Sequence, residues 1–68
     1  MIFTVEIERE EDGRWLAEVV DLPGVMAYGA TRESALAAVK ALALRVLADK
    51  LEHGEIGADL AGLSFLAA

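Results

Sequence analysis

Residues 21–36 read DLPGVMAYGATRESAL, and this stretch decides the fold because it redirects the chain three times. Pro23 fixes φ where the second position of a tight turn needs it, and Gly24 can take the positive φ of the third. The chain is therefore expected to reverse into a short third strand over residues 25–28. Gly29 reads as a second backbone break, and Thr31 as the N-cap of a helix that begins at Arg32. The third helical position holds Ser34 rather than Glu or Gln, so the capping box is expected to be incomplete. Glu33 in the first turn suits the positive end of the helix dipole.

Upstream, residues 2–9 (IFTVEIER) alternate with period two, placing Phe3, Val5 and Ile7 on one face and Thr4, Glu6 and Glu8 on the other. Residues 14–20 (RWLAEVV) alternate likewise, with Trp15, Ala17 and Val19 opposed to Leu16, Glu18 and Val20. A loop of Glu11, Asp12 and Gly13, with Gly13 in the left-handed conformation, pairs Glu10 with Arg14. That register sets Ile7 opposite Ala17, Val5 opposite Val19 and Glu6 opposite Glu18. Like charges placed opposite each other are unfavourable. The outer face then combines Glu6, Glu8 and Glu18 with apolar Leu16 and Val20. It reads either as an ordinary solvated face, given a different loop length, or as one awaiting a cationic partner or a second subunit.

Downstream, residues 32–53 hold strong helix formers, with no Gly or Pro until Gly54. Ala35, Val39, Leu42 and Val46 form one stripe, Leu36, Ala43, Leu47 and Lys50 a second, and Leu44 and Leu51 widen the apolar surface. One side is expected to cover the sheet and part of the rest to meet another subunit. After Gly54, residues 63–66 can form a short strand or an apolar hook, while Gly57 and Gly62 argue against a continuous helix. The expected class is α+β in a single domain over 1–68: a three-stranded antiparallel sheet (β-β-β), one long helix packed on one of its faces, and a short C-terminal strand (β-β-β-α-β).

Composition constrains the partners. A chain of 68 residues without cysteine, 56% hydrophobic, has neither disulfide nor thiolate metal site to staple it and more apolar surface than so small a globule easily hides. A homodimer or larger assembly is expected. The formal net charge of −6 argues against a phosphate backbone as partner, since nucleic-acid binding rests on clustered cations. Residues 1–33 carry eight of the twelve acids. No signal-peptide pattern follows Met1, and no apolar run reaches the roughly 18 residues a bilayer span needs, so a cytoplasmic location without membrane insertion is expected.

Catalytic material is sparse. His53, the single histidine, falls in the last helical turn, where it suits the negative dipole end. Ser34 and Ser64 have no histidine or lysine at a recognisable spacing, and Thr31 serves as a cap. Glu6 and Glu8 lie on an open face unsuited to raised pKa values. The spacing from Gly24 to Gly29 lacks the Lys and Ser or Thr of a phosphate loop. Trp15 and Tyr28 read as core and rim. No enzyme activity, cofactor or metal is expected.

The run GRWLAEVVDLPGVMAYGATRESALAAVKALAL, residues 13–44, resembles the N-terminal domain of HicB-like antitoxins. In that pattern a Gly precedes an aromatic and a strand, a D-x-PG turn leads to a short strand, and G-x-T opens a helix. Gly13, Trp15, Asp21, Pro23, Gly24, Gly29, Thr31, Ala35 and Leu36 stand at those places, and with the first strand the likeness covers about residues 2–50. The resemblance implies a partial double-stranded-RNA-binding-domain-like fold and a protein that masks a small basic HicA-like ribonuclease toxin. Family members often add a C-terminal DNA-binding segment. The short stretch after the helix, with no Lys or Arg beyond Lys50, does not fit one. A short stand-alone antitoxin, or an orphan homo-oligomer without a toxin, is the resulting expectation.

Overall fold

The computed structural model describes residues 1–56 and 62–67. Among them the elements run β1 (Ile2–Arg9), β2 (Trp15–Val19), β3 (Met26–Gly29), α1 (Arg32–Glu52) and β4 (Ser64–Ala67). The expected break at Gly57 lies outside the described residues.

The hairpin between β1 and β2 closes as its glycine dictates. The Glu10 N–H donates to the Arg14 carbonyl at 2.7 Å, the Gly13 N–H to the Glu10 carbonyl at 3.0 Å, and Gly13 has φ +90°. Register follows from the loop: Val5 faces Val19, Ile7 faces Ala17 and Glu6 faces Glu18. The Leu22–Val25 turn is closed by a 3.1 Å bond from the Val25 N–H to the Leu22 carbonyl, with Gly24 at φ +82°. This turn also folds Leu22 and Val25 into the core.

The sheet has the order β3-β2-β1-β4. It is four-stranded and mixed, so the expected three-stranded antiparallel sheet is corrected: β1, β2 and β3 are antiparallel neighbours, and β4 joins them parallel to β1, with Phe3 opposite Phe65. Packing of the partly buried Phe65 against the core provides the physical reason. Its ring centroid lies 5.9 Å from that of Phe3, in the range where aromatic pairs attract, and the Ser64 N–H donates to the Met1 carbonyl at 2.9 Å.

Helix α1 packs on β2 and β3. The buried row is Ala35, Val39, Ala43 and Leu47, a single i, i+4 ridge. The expected stripe through Leu42 and Val46 is displaced to the flank of the core, where both are partly buried. Against this ridge the sheet presents Phe3, Val5, Ala17 and Val19. Val5, Val19 and Val39 are fully buried, each contributing on the order of 1.5–3 kcal/mol from burial.

Both helix ends are capped. The Ser34 N–H donates to Thr31 Oγ1 and the Thr31 N–H to Ser34 Oγ, each at 3.0 Å. The capping box expected to be incomplete is therefore complete, because a serine hydroxyl at this position reaches the N-cap amide as a carboxylate would. At the other end Gly54 has φ +70°. Its N–H donates to the Leu51 carbonyl at 3.2 Å and the Glu55 N–H to the Lys50 carbonyl at 2.8 Å, the two bonds of a Schellman cap. His53 is the C-cap residue, with Nδ1 2.8 Å from the Asp49 carbonyl oxygen.

Gly29 is not a break. It is the last residue of β3, and a Cβ there would collide with the Ala35 backbone nitrogen and Ser34 Oγ. The absent side chain lets β3 run directly against the first turn of α1.

Candidate functional site

Alternation along β1 and β2 turns Glu6, Glu8, Leu16 and Glu18 away from α1. The structure brings Glu6, Glu8, Leu16 and Glu18 onto one outer face, with Glu6 directly opposite Glu18 and Glu8 opposite Leu16; Val20 follows just past the end of β2, its N–H still bonded to the Thr4 carbonyl. Glu6, Glu8 and Val20 are exposed, whereas Leu16 and Glu18 are half-buried by neighbouring strands. A shallow depression on this face is lined by Glu6, Ile7, Glu8, Leu16 and Glu18.

Among the described residues the salt bridges are Arg14–Asp12, Lys50–Glu55 and His53–Asp49, so the three glutamates of the face are not neutralised by any of them. Arg14, which shares the parity of Leu16 and Glu18 along the chain, is already engaged. Arg14 Nε donates to Asp12 Oδ2 at 2.7 Å, and its guanidinium carbon lies 4.3 Å from the centroid of the Tyr28 ring. Hydrogen bonds from the Arg14 backbone N–H and then its side chain hold the Asp12 carboxyl below its ordinary value. The result is a carboxylate-rich surface with a fixed arginine at one end.

The other residues singled out from the sequence do local work. Gly13, Pro23 and Gly24 form turns, and Gly29 and Thr31 seat β3 on the helix. Trp15 packs on the flank of the core, with Arg9 6.0 Å over its ring.

The sequence reading missed half of the outer face. β3 contributes Met26 opposite Glu18 and Tyr28 opposite Leu16, and β4 contributes Leu66 opposite Thr4. Met26 is 45% exposed, Tyr28 47% and Leu66 61%. The signal for β3 was available, since the turn at Leu22–Val25 sets the parity of its pairing; β4 carries no such local cue.

Together these features define a small α+β protein whose sheet is packed on a helix on one side and, among the described residues, uncovered on the other. No family model, curated protein or solved structure matches the chain. No helix among the described residues is long and apolar enough to cross a membrane.

Proposed function

We propose that this chain is a non-catalytic, cytoplasmic protein-binding module: a short HicB-like antitoxin, of the partial double-stranded-RNA-binding-domain-like fold, that masks a small basic HicA-like ribonuclease. The observation that carries the reading is the opposed pair Glu6 and Glu18 on a face that is uncovered among the described residues and presents Leu16, with exposed Val20 beside it. Carboxylates that repel each other in the free chain gain most from a cationic surface laid across them. The neighbouring apolar side chains supply the area that a stable contact buries. The motif run over residues 13–44 adds the family resemblance.

Co-expression with the product of the adjacent reading frame tests this. A small basic protein should co-purify, and its ribonuclease activity should be inhibited in the complex. Glu6→Lys combined with Glu18→Lys should weaken the complex about tenfold or more and reduce its salt dependence. An adjacent product that neither co-purifies nor is inhibited would remove the toxin from the reading. A second reading, an orphan homo-oligomer, is favoured by the exposed apolar side chains of Met26 and Tyr28.

A further inference from the structure

We infer that β3 is a self-pairing edge, through which two copies of this chain join their sheets into one across a two-fold axis. The inference does not depend on the toxin-binding reading.

Hydrogen-bond parity fixes which groups of β3 are free to do this. In an antiparallel pair, opposed residues alternate between exchanging hydrogen bonds and exchanging none. The Glu10 N–H bonds to the Arg14 carbonyl and the Val20 N–H to the Thr4 carbonyl, so even-numbered residues of β2 turn their backbone groups toward β1. The Val19 N–H bonds to the Val25 carbonyl at 3.0 Å, so odd-numbered residues of β2 turn theirs toward β3. Ala17 opposite Ala27 and Trp15 opposite Gly29 complete that ladder. The N–H and C=O groups of Met26 and Tyr28 therefore point outward, along the edge of the sheet.

Those groups are self-complementary about Ala27. With Ala27 of one copy against Ala27 of the next, Met26 of each faces Tyr28 of the other, and each such pair exchanges two backbone hydrogen bonds. On the outer face the Met26 thioether meets the Tyr28 ring, a favourable sulfur–aromatic contact. Both helices lie on the opposite face, flanking the axis.

Charge decides where a second copy can dock. Exposed edges are normally blocked by Lys, other charges, Pro or a bulge, and MAYG has none of these. Another copy also carries a net charge of −6, so it is repelled by the glutamates of β1 and β2 and meets least repulsion at the two uncharged edge strands, β3 and β4, of which β3 is the one packed against α1. The remaining open length of β1, beyond its pairing with β4 at Val5, is guarded by Glu6, Glu8 and Arg9. Bracing matters as well: Gly29 seats β3 against Ser34 and Ala35, so the edge is held in place before it meets its partner. Two four-residue strands make a small interface, below roughly 1,200 Å² in total, so a weak dimer is expected.

The register supplies its own test by sedimentation equilibrium, with circular dichroism to check folding. Wild type should dimerise at hundreds of micromolar. Met26→Lys with Tyr28→Lys sets like charges opposite each other twice, and should weaken the dimer about tenfold or more with an unchanged spectrum. Met26→Lys with Tyr28→Glu sets opposite charges in the same places, and should dimerise at least as tightly as wild type. A monomeric wild type, equal effects of the two double variants, or dissociation by Leu66→Lys on β4 instead would overturn the inference. None of these outcomes bears on whether Glu6→Lys with Glu18→Lys releases a toxin.

Discussion

The Asp21 carboxylate accepts the Thr4 backbone N–H at 2.7 Å. In the regular ladder that N–H would bond to the Val20 carbonyl, because the Val20 N–H donates to the Thr4 carbonyl at 3.1 Å. The chain leaves the ladder at Asp21 to enter the Leu22–Val25 turn, and the side chain supplies the acceptor that the backbone withdraws. An aspartate that reads as a turn residue in the sequence thus ties the end of β2 to the start of β1.

Asp21→Ala should cost about 1 kcal/mol in urea unfolding, because it removes the carboxylate acceptor of the Thr4 amide and leaves that amide to water. Asp21→Asn keeps an acceptor oxygen and should recover more than half of the loss. Equal losses in the two variants would show that the hydrogen bond is not what stabilises this corner.

Gly24 and Gly29 should respond to alanine for different reasons. At Gly24 a Cβ meets nothing within 4 Å, and the cost is the positive φ alone, about 1–2 kcal/mol. At Gly29 the Cβ collides with the helix backbone, which cannot yield as a flexible side chain does, and the cost should be about 2 kcal/mol or more. Thermal unfolding ranks the two, and Gly24→Ala proving the more damaging would contradict the packing argument.

These two glycines show where the sequence was legible. Gly13, Pro23 and Gly24 announce their turns through their own backbone preferences, and the alternation of IFTVEIER and RWLAEVV sets the register between them. Those are local properties, and the outer-face placement of Glu6, Glu8, Leu16 and Glu18 follows from them. Gly29 answers instead to an atom brought near by tertiary packing, and β4 pairs with a strand at the other end of the chain. Neither leaves a periodic trace. Ser34 lies between the two cases: its position was visible, but the reach of its hydroxyl depends on the rotamer it adopts.

The reciprocal bonds of Thr31 and Ser34 should be coupled. Thr31→Ala should cost about 1 kcal/mol as a lost N-cap. Ser34→Ala should cost less, since the Thr31 N–H it releases is exposed to water. In the double variant the losses should sum to less than the two taken singly, and strict additivity in a double-mutant cycle would show two independent bonds rather than a box.

The Asp12 carboxyl should titrate below its ordinary value of 3.8 in an NMR pH series, since the Arg14 backbone N–H and then its side chain favour the charged form. A depressed folded value means stability that is present above the unfolded value and lost as pH falls through the folded one. Hairpin stability should accordingly decline on acidification through that lower value, and Asp12→Asn should flatten this part of the curve. Titration at or above 3.8 would place Arg14 elsewhere in solution.

The opposed glutamates make the last prediction, which links stability to binding. Replacing Glu6 by Thr removes a like-charge cross-strand pair with Glu18 and inserts a residue that favours strands. The free chain should gain a few tenths of a kcal/mol, more at low salt than at high. If the outer face binds a cationic partner, the same substitution should weaken that complex, because the repulsion it relieves is what the partner would otherwise neutralise. Urea unfolding at two salt concentrations, beside binding measured on the same variant, reads both signs. A variant that gains stability and loses no affinity would make the Glu6–Glu18 pair incidental to recognition and shift the contact toward Leu16 and Val20.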